Sequence, residues 1–223
     1  METSSLGTEI LFYMGPVPIS RPVVTTWGIM AFLTLISWLG LRRARVHAST
    51  FQAVLEIVVE TVSKQIGDII RGDAWPYLPL LGTLFLFLVF ANLSVIVPGM
   101  KPPTGHIETP AALAAIVFLS VHFFGIRSRG FINYLRRYTK PNPLLLPLNI
   151  LAEITRTFSL MVRLFGNIMS HEIVIAIIVL LAGLLLPIPF MLLGILIGII
   201  QAYIFTVLAA VFIGAAVGSV TEE

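Results

Sequence analysis

Cysteine is absent from this chain, which removes any disulfide framework, thiolate metal site or thiol nucleophile. Charge is scarce as well: only 11% of the 223 residues are Asp, Glu, Lys or Arg, against about 25% in a soluble domain. So little charge cannot cover a water-facing surface, and most of the chain must face lipid or other apolar helices. No G-x-x-x-x-G-K-S/T loop occurs, so no nucleotide site of that type is available, and no H-E-x-x-H pattern offers a metalloprotease site. A compact basic leader is missing too. Glu2 and Glu9 precede the first basic residue, Arg21, so the first apolar segment is expected to be a retained span rather than a targeting peptide. There is no internal repeat and no low-complexity tract, and the chain reads as a single membrane domain over residues 1–223.

What the sequence has instead is apolar residues, 57% of the total, gathered into runs. A helix needs about 20 such residues to cross a hydrocarbon layer of about 30 Å. Spans are predicted at about 23–41, 77–98, 109–126, 148–183 and 188–218. The last two are separated by Leu186-Pro187-Ile188-Pro189, expected to be a tight turn because prolines remove donors and restrict their predecessors. Residues 51–71 differ: Glu56, Glu60, Lys64, Asp68 and Arg71 form a polar stripe on an otherwise apolar helix. That pattern predicts an amphipathic helix at the interface or packed edge-on to the bundle, not a span. The fold class is therefore all-α: a polytopic membrane protein with five spans and one amphipathic helix. A helix over 148–183 would be about 54 Å long, so the last two spans are expected to tilt strongly. Basic residues crowd two loops, Arg42, Arg43 and Arg45 in one and Arg127, Arg129, Arg136, Arg137 and Lys140 in the other. Placing both in the cytoplasm puts the N-terminus outside and the C-terminus inside.

Ionisable residues inside a span cost about 2.5–3.5 kcal/mol each on insertion scales, and are functional candidates for that reason. The fourth span holds Arg163 near its middle, with Glu153 and Arg156 toward one end and Asn167, His171 and Glu172 toward the other. At about 100° per residue, Arg156, Ser159, Asn167 and Ser170 all fall within about 40° of Arg163. Glu172 falls about 180° away, and His171 lies between. A guanidinium on one face and a carboxylate on the other serve two different polar environments, and on a straight helix they cannot pair with each other. Arg156 and Glu153 lie near the boundary, where Arg can snorkel to the headgroups. On the last span Gln201 is the strongly polar residue. Gly194 and Gly198 share its side and permit close approach of a neighbour, so Gln201 is expected to reach across to the Arg163 face. His122, in the third span, is expected to make a satisfied interhelical hydrogen bond and is given no transport role.

RLFGN at 163–167 with Glu172 beyond it, and QAYIF at 201–205, resemble subunit a of F-type ATP synthases. NLSVIVPG at 92–99, the Pro103-Thr104 loop and the amphipathic helix at 51–71 extend the similarity over most of the chain. The resemblance implies a non-nucleotide-binding subunit, not an enzyme by itself, in a bacterial plasma membrane. Its partners would be a ring of c subunits, b-type peripheral stalk subunits and the rest of the complex, with no cofactor, metal or nucleic acid. Arg163 would face the ring carboxylates, attract them when ionised and block direct leakage between two offset half-channels, coupling proton or sodium movement to rotation. Asn167 and Gln201 would line the rotor-facing site, and Glu172 would relay ions in the outer half-channel. The chain departs from the family pattern twice. Many relatives carry His or Glu seven residues before the glutamine, where Gly194 stands, so His171 is a candidate substitute. The outer loop carries His106 and Glu108 in place of the family's D-x-N, and these are candidates for the outer entrance. The alternative reading is a secondary transporter with a substrate anion on the buried arginine; the halves show no inverted repeat, which many transporters display. An intramembrane hydrolase is disfavoured, because Ser170, His171 and Glu172 are sequence neighbours on a helix and do not face each other.

Overall fold

The computed structural model describes residues 10–14, 17–42, 50–70, 73–96, 102–139, 144, 146–183 and 187–218. Seven helices account for nearly all of these: α1 Arg21–Arg42, α2 Thr50–Ile70, α3 Leu78–Leu93, α4 Glu108–Arg129, α5 Phe131–Thr139, α6 Leu146–Ala182 and α7 Pro187–Val217. Five of them, α1, α3, α4, α6 and α7, are long and apolar enough to cross a membrane, and the protein is an all-α polytopic membrane protein. Hydroxyls within the spans are hidden by bonding back to their own helix. Thr26 Oγ1 donates to Pro22 O at 2.8 Å, Thr34 Oγ1 to Met30 O at 2.8 Å and Ser120 Oγ to Ile116 O at 2.7 Å. In hydrocarbon every such group needs an internal partner.

Helix α7 is central and packs against α2, α3, α4 and α6. Its small residues make this possible: Ala202, Ala209, Ala210, Gly214 and Ala216 are buried, and small side chains let helix backbones approach closely. Phe205 and Ile213 fill the gaps against Leu81, Leu84 and Leu88 of α3 and Leu113, Val117 and Val121 of α4 in one core. Helix α2 turns Ile66 and Ile70 into this core while Glu56, Glu60, Lys64 and Asp68 stay exposed. Edge-on packing is thus what the polar stripe produces, and Tyr203 Oη of α7 donates to Gln65 Oε1 of α2 at 2.9 Å. Arg71 lies outside the described residues.

Three local features depart from the sequence reading. Pro187, Ile188 and Pro189, read as part of a tight turn, belong to α7 instead: Pro187 begins the helix, where its missing N–H is harmless, and Leu186 lies outside the described residues. The chain leaves α6 at Gly183, with φ 74°, a conformation that favours glycine. The second is α5, only 9 residues long, in the segment read as a basic loop. Gly130 (φ 78°) separates α5 from α4, and the Tyr134 ring lies so close to Gly125 that a Cβ there would overlap it. The third is an antiparallel hairpin of β1 (Ile10–Met14) and β2 (Val17–Ser20), pairing Phe12 with Ile19 and Met14 with Val17. At the end of α7, Arg129 Nε of α4 donates to Val217 O at 2.9 Å. A cation suits a helix C-terminus because it meets the unpaired carbonyls there.

Candidate functional site

Helix α6 contributes one narrow buried stripe, Leu160, Leu164 and Ile168, spaced four residues apart. Four residues is slightly more than one turn, so the stripe fixes which way the rest of the helix points. Arg156, Ser159, Arg163, Asn167 and Ser170 are all exposed. Arg163 sits near the midpoint of α6, and among the described residues it makes no hydrogen bond or ion pair. The next turn leaves open room, since nothing lies within 4 Å of a Cβ built on Gly166. Arg156 is held differently, its guanidinium carbon 4.7 Å from the centre of the Phe212 ring on α7. That cation–π contact accounts for Arg156 without a transport role.

One turn beyond Arg163, Asn167 Nδ2 donates to Gln201 Oε1 at 2.6 Å. The glutamine does reach across to the α6 polar face. It is 2% exposed, and its Nε2 is buried with no acceptor among the described residues. Gly198 lies one turn before it on α7, and Asn92 of α3 packs so tightly there that a Cβ on Gly198 would sit 2.9 Å from the Asn92 Cβ. Further along the same seam His171 Nε2 is also buried without a partner among the described residues. The imidazole occupies the notch opposite Gly194, where any added Cβ would overlap it. A histidine from α6 therefore fills the space that a side chain at position 194 of α7 would otherwise take.

Glu172 points the other way. Its Oε1 lies 3.1 Å from a Cβ built on Gly105, so the carboxylate abuts the 3-10 turn Pro103–Gly105. That turn is pinned by a buried chain of bonds: Thr104 Oγ1 donates to Asn92 Oδ1 at 2.8 Å, and Asn92 Nδ2 donates to Gly198 O at 2.8 Å. Asn92 and Thr104 entered the sequence reading only through the motifs around them; the structure gives them this joining task. Of the two outer-loop candidates, His106 follows the turn and is half-buried. Glu108 opens α4 and accepts a hydrogen bond from Ser20 Oγ at 3.0 Å. Nothing in the sequence marks Ser20 as its partner. His122 bonds within its own helix rather than between helices, Nδ1 donating to Phe118 O at 2.8 Å. Its i−4 carbonyl is the nearest acceptor, and the ring is sandwiched by Phe118 and Tyr134. Among the described residues no group of three or more His, Cys, Asp or Glu could hold a metal ion.

Among the described residues, the arrangement offers an unpaired, exposed guanidinium on one face of α6, two partnerless buried nitrogens in the α6–α7 seam, and a carboxylate turned to the loop on the other side. Comparison with known proteins is consistent over nearly the whole chain. Residues 23–214 match the family described as ATP synthase A chain. The chain is 61% identical over 222 residues to ATP synthase subunit a 2 of Bradyrhizobium sp., covering 100% of both sequences. It is 45% identical over 212 residues to ATP synthase subunit a 2 of Pelobacter propionicus, covering 95% of this chain and 93% of the relative. With ATP synthase subunit a 1 of Chlorobaculum parvum the identity is 44% over 209 residues, covering 93% and 92%.

Proposed function

The chain belongs to the ATP synthase A chain family, membrane subunits of the ATP synthase complex, and from that premise we propose that Arg163 is the stator cation of two offset ion half-channels. The observation that carries the proposal is that Arg163 is exposed at mid-helix and makes no hydrogen bond or ion pair among the described residues. An arginine left facing lipid there would be costly, so a partner outside this chain is called for. A ring of c subunits, each with one buried carboxylate, supplies it. A guanidinium stays protonated at any physiological pH, so it attracts the ionised carboxylate and opposes the passage of cations straight past it. A protonated carboxyl has no such attraction and turns away through lipid.

Asn167 and Gln201 line the rotor-facing side of this site. His171 stands in for the ionisable group that many relatives carry on α7 at the position of Gly194. Buried polar nitrogens without hydrogen-bond partners cost about 1–3 kcal/mol each, and the Gln201 and His171 nitrogens, unpartnered among the described residues, support a hydrated path along the α6–α7 seam. Glu172, backed by the Pro103–Gly105 turn, belongs to the outer half-channel, with His106 and Glu108 at its mouth. The basic ends of α1 and α4 lie in the cytoplasm, the N-terminus is outside, and both long helices tilt strongly through the bilayer. The membrane potential then contributes about 2.3 kcal/mol per charge per 100 mV to each ion crossing. Peripheral-stalk subunits of the b type hold the chain against the torque.

The test is Arg163→Ala in the complete complex reconstituted into vesicles. Ion-driven ATP synthesis is expected to disappear while the variant subunit remains assembled in the membrane. Normal synthesis by that variant would overturn the assignment.

A further inference from the structure

Ser20 sits where the hairpin, α1 and α4 meet. It is the last residue of β2, placed opposite Ile10 of β1 by the strand register, and α1 begins at the very next residue. No linker separates strand from helix, so the hairpin and α1 together fix its position. Ile19 and Ser20 are both buried, at 5% and 7% exposure. A hydroxyl withdrawn from water in this way needs a partner.

The usual partner for a serine just before a helix is a backbone N–H of the second or third helical residue. Pro22 occupies the second position of α1 and has no N–H to offer. The Ser20 hydroxyl crosses to α4 instead and donates to Glu108 Oε2 at 3.0 Å. Among the described residues this is the one hydrogen bond that either side chain makes.

Glu108 is the first residue of α4 and is half-buried. Helix α1 packs against both α4 and the Pro103–Gly105 turn, the turn that backs Glu172. A glutamate side chain left to itself samples many rotamers. A buried hydroxyl bonded to one of its oxygens holds it in one orientation and leaves Oε1 for an incoming ion. The other charged or titratable groups on the described elements around it are Arg21 on α1, His106 beside the turn, and His171 and Glu172 on α6. Arg21 has its own interaction within the chain, and the remaining basic groups of α4 lie toward its far end.

We propose that Ser20 is a positioning residue of the outer half-channel: its hydroxyl holds the Glu108 carboxylate in the orientation that receives the coupling cation. The N-terminal hairpin thereby forms one wall of the entrance. This role rests on the reading of Glu108 as part of that entrance.

The complete complex in vesicles provides the test, with ATP synthesis driven at one fixed membrane potential. Proton and sodium concentrations on the Glu108 side are varied in separate titrations, and the ion to which the unmodified complex responds is used throughout. Ser20→Ala is expected to raise the concentration for half-maximal synthesis roughly fivefold, the effect of losing one hydrogen bond to a half-buried carboxylate. The loss at saturation should be smaller. Glu108→Ala should shift the midpoint at least as far, and adding Ser20→Ala to it should change nothing further. Should Ser20→Ala fail to assemble, Ser20→Cys, of similar size and only a weak donor, carries the same readout. An unchanged midpoint in the Ser20 variant beside a shifted one in Glu108→Ala, or additive shifts in the double variant, would overturn the role of Ser20 and leave the entrance in place. No shift in Glu108→Ala would overturn the entrance itself, and the role of Ser20 with it.

Discussion

His171 and Gly194 face each other across the α6–α7 seam so closely that the two positions share one side chain's worth of space. Gly194→His alone would place two imidazoles in that space, and overpacking of this kind costs about 1–3 kcal/mol. The expected outcome is a lower melting temperature of the purified complex and impaired ion-driven synthesis. Adding His171→Gly should relieve the clash and recover much of both, a coupling that a double-mutant cycle measures directly. Additive losses would show that the two sites do not share the notch. Glu172 lies on the far side of the helix, against Gly105. Glu172→Gln keeps its shape and hydrogen-bonding reach but cannot ionise. A smaller loss of synthesis than for Arg163→Ala is expected, with a changed pH profile; an unchanged profile would exclude a relay at this carboxylate.

Among elements, the Pro103–Gly105 turn shows how a loop is made rigid enough to back a membrane carboxylate. Thr104 is fully buried and ties the turn to α3 through Asn92, which in turn ties α3 to α7. Thr104→Val keeps the volume and removes the donor, stranding Asn92 Oδ1 in the interior. A cost of about 1–3 kcal/mol is expected, measured as thermal stability of the complex. Thr104→Ser, which keeps the hydroxyl, should retain more stability than Thr104→Val. Helix α6 achieves its orientation with less: three buried residues four apart decide that Arg163 faces out and Glu172 faces in.

For the whole molecule, the absence of cysteine makes orientation simple to measure, because one introduced thiol is the only one in the subunit. Ser128→Cys, between two arginines at the end of α4, should react with a membrane-impermeant maleimide only from the cytoplasmic side. His106→Cys should react only from the other. Labelling of both from one side would contradict the five-span orientation.

Composition and periodicity alone determined that this chain enters a membrane, where its five spans run to within a few residues, and that α2 keeps a charged stripe outward. Those properties follow from local apolar patterning, which a helix expresses whatever it packs against. The 100° helical step also separated Arg163 from Glu172, since that angle is a property of the backbone. The tertiary structure decided what depends on residues distant in sequence: His171 filling the notch at Gly194, Thr104 and Asn92 fastening the outer turn, and Ser20 meeting Glu108. It also settled the short elements, because the two turns of α5 and the four- and five-residue strands of the hairpin are too brief to establish a period, and form where neighbouring helices and a paired strand complete them.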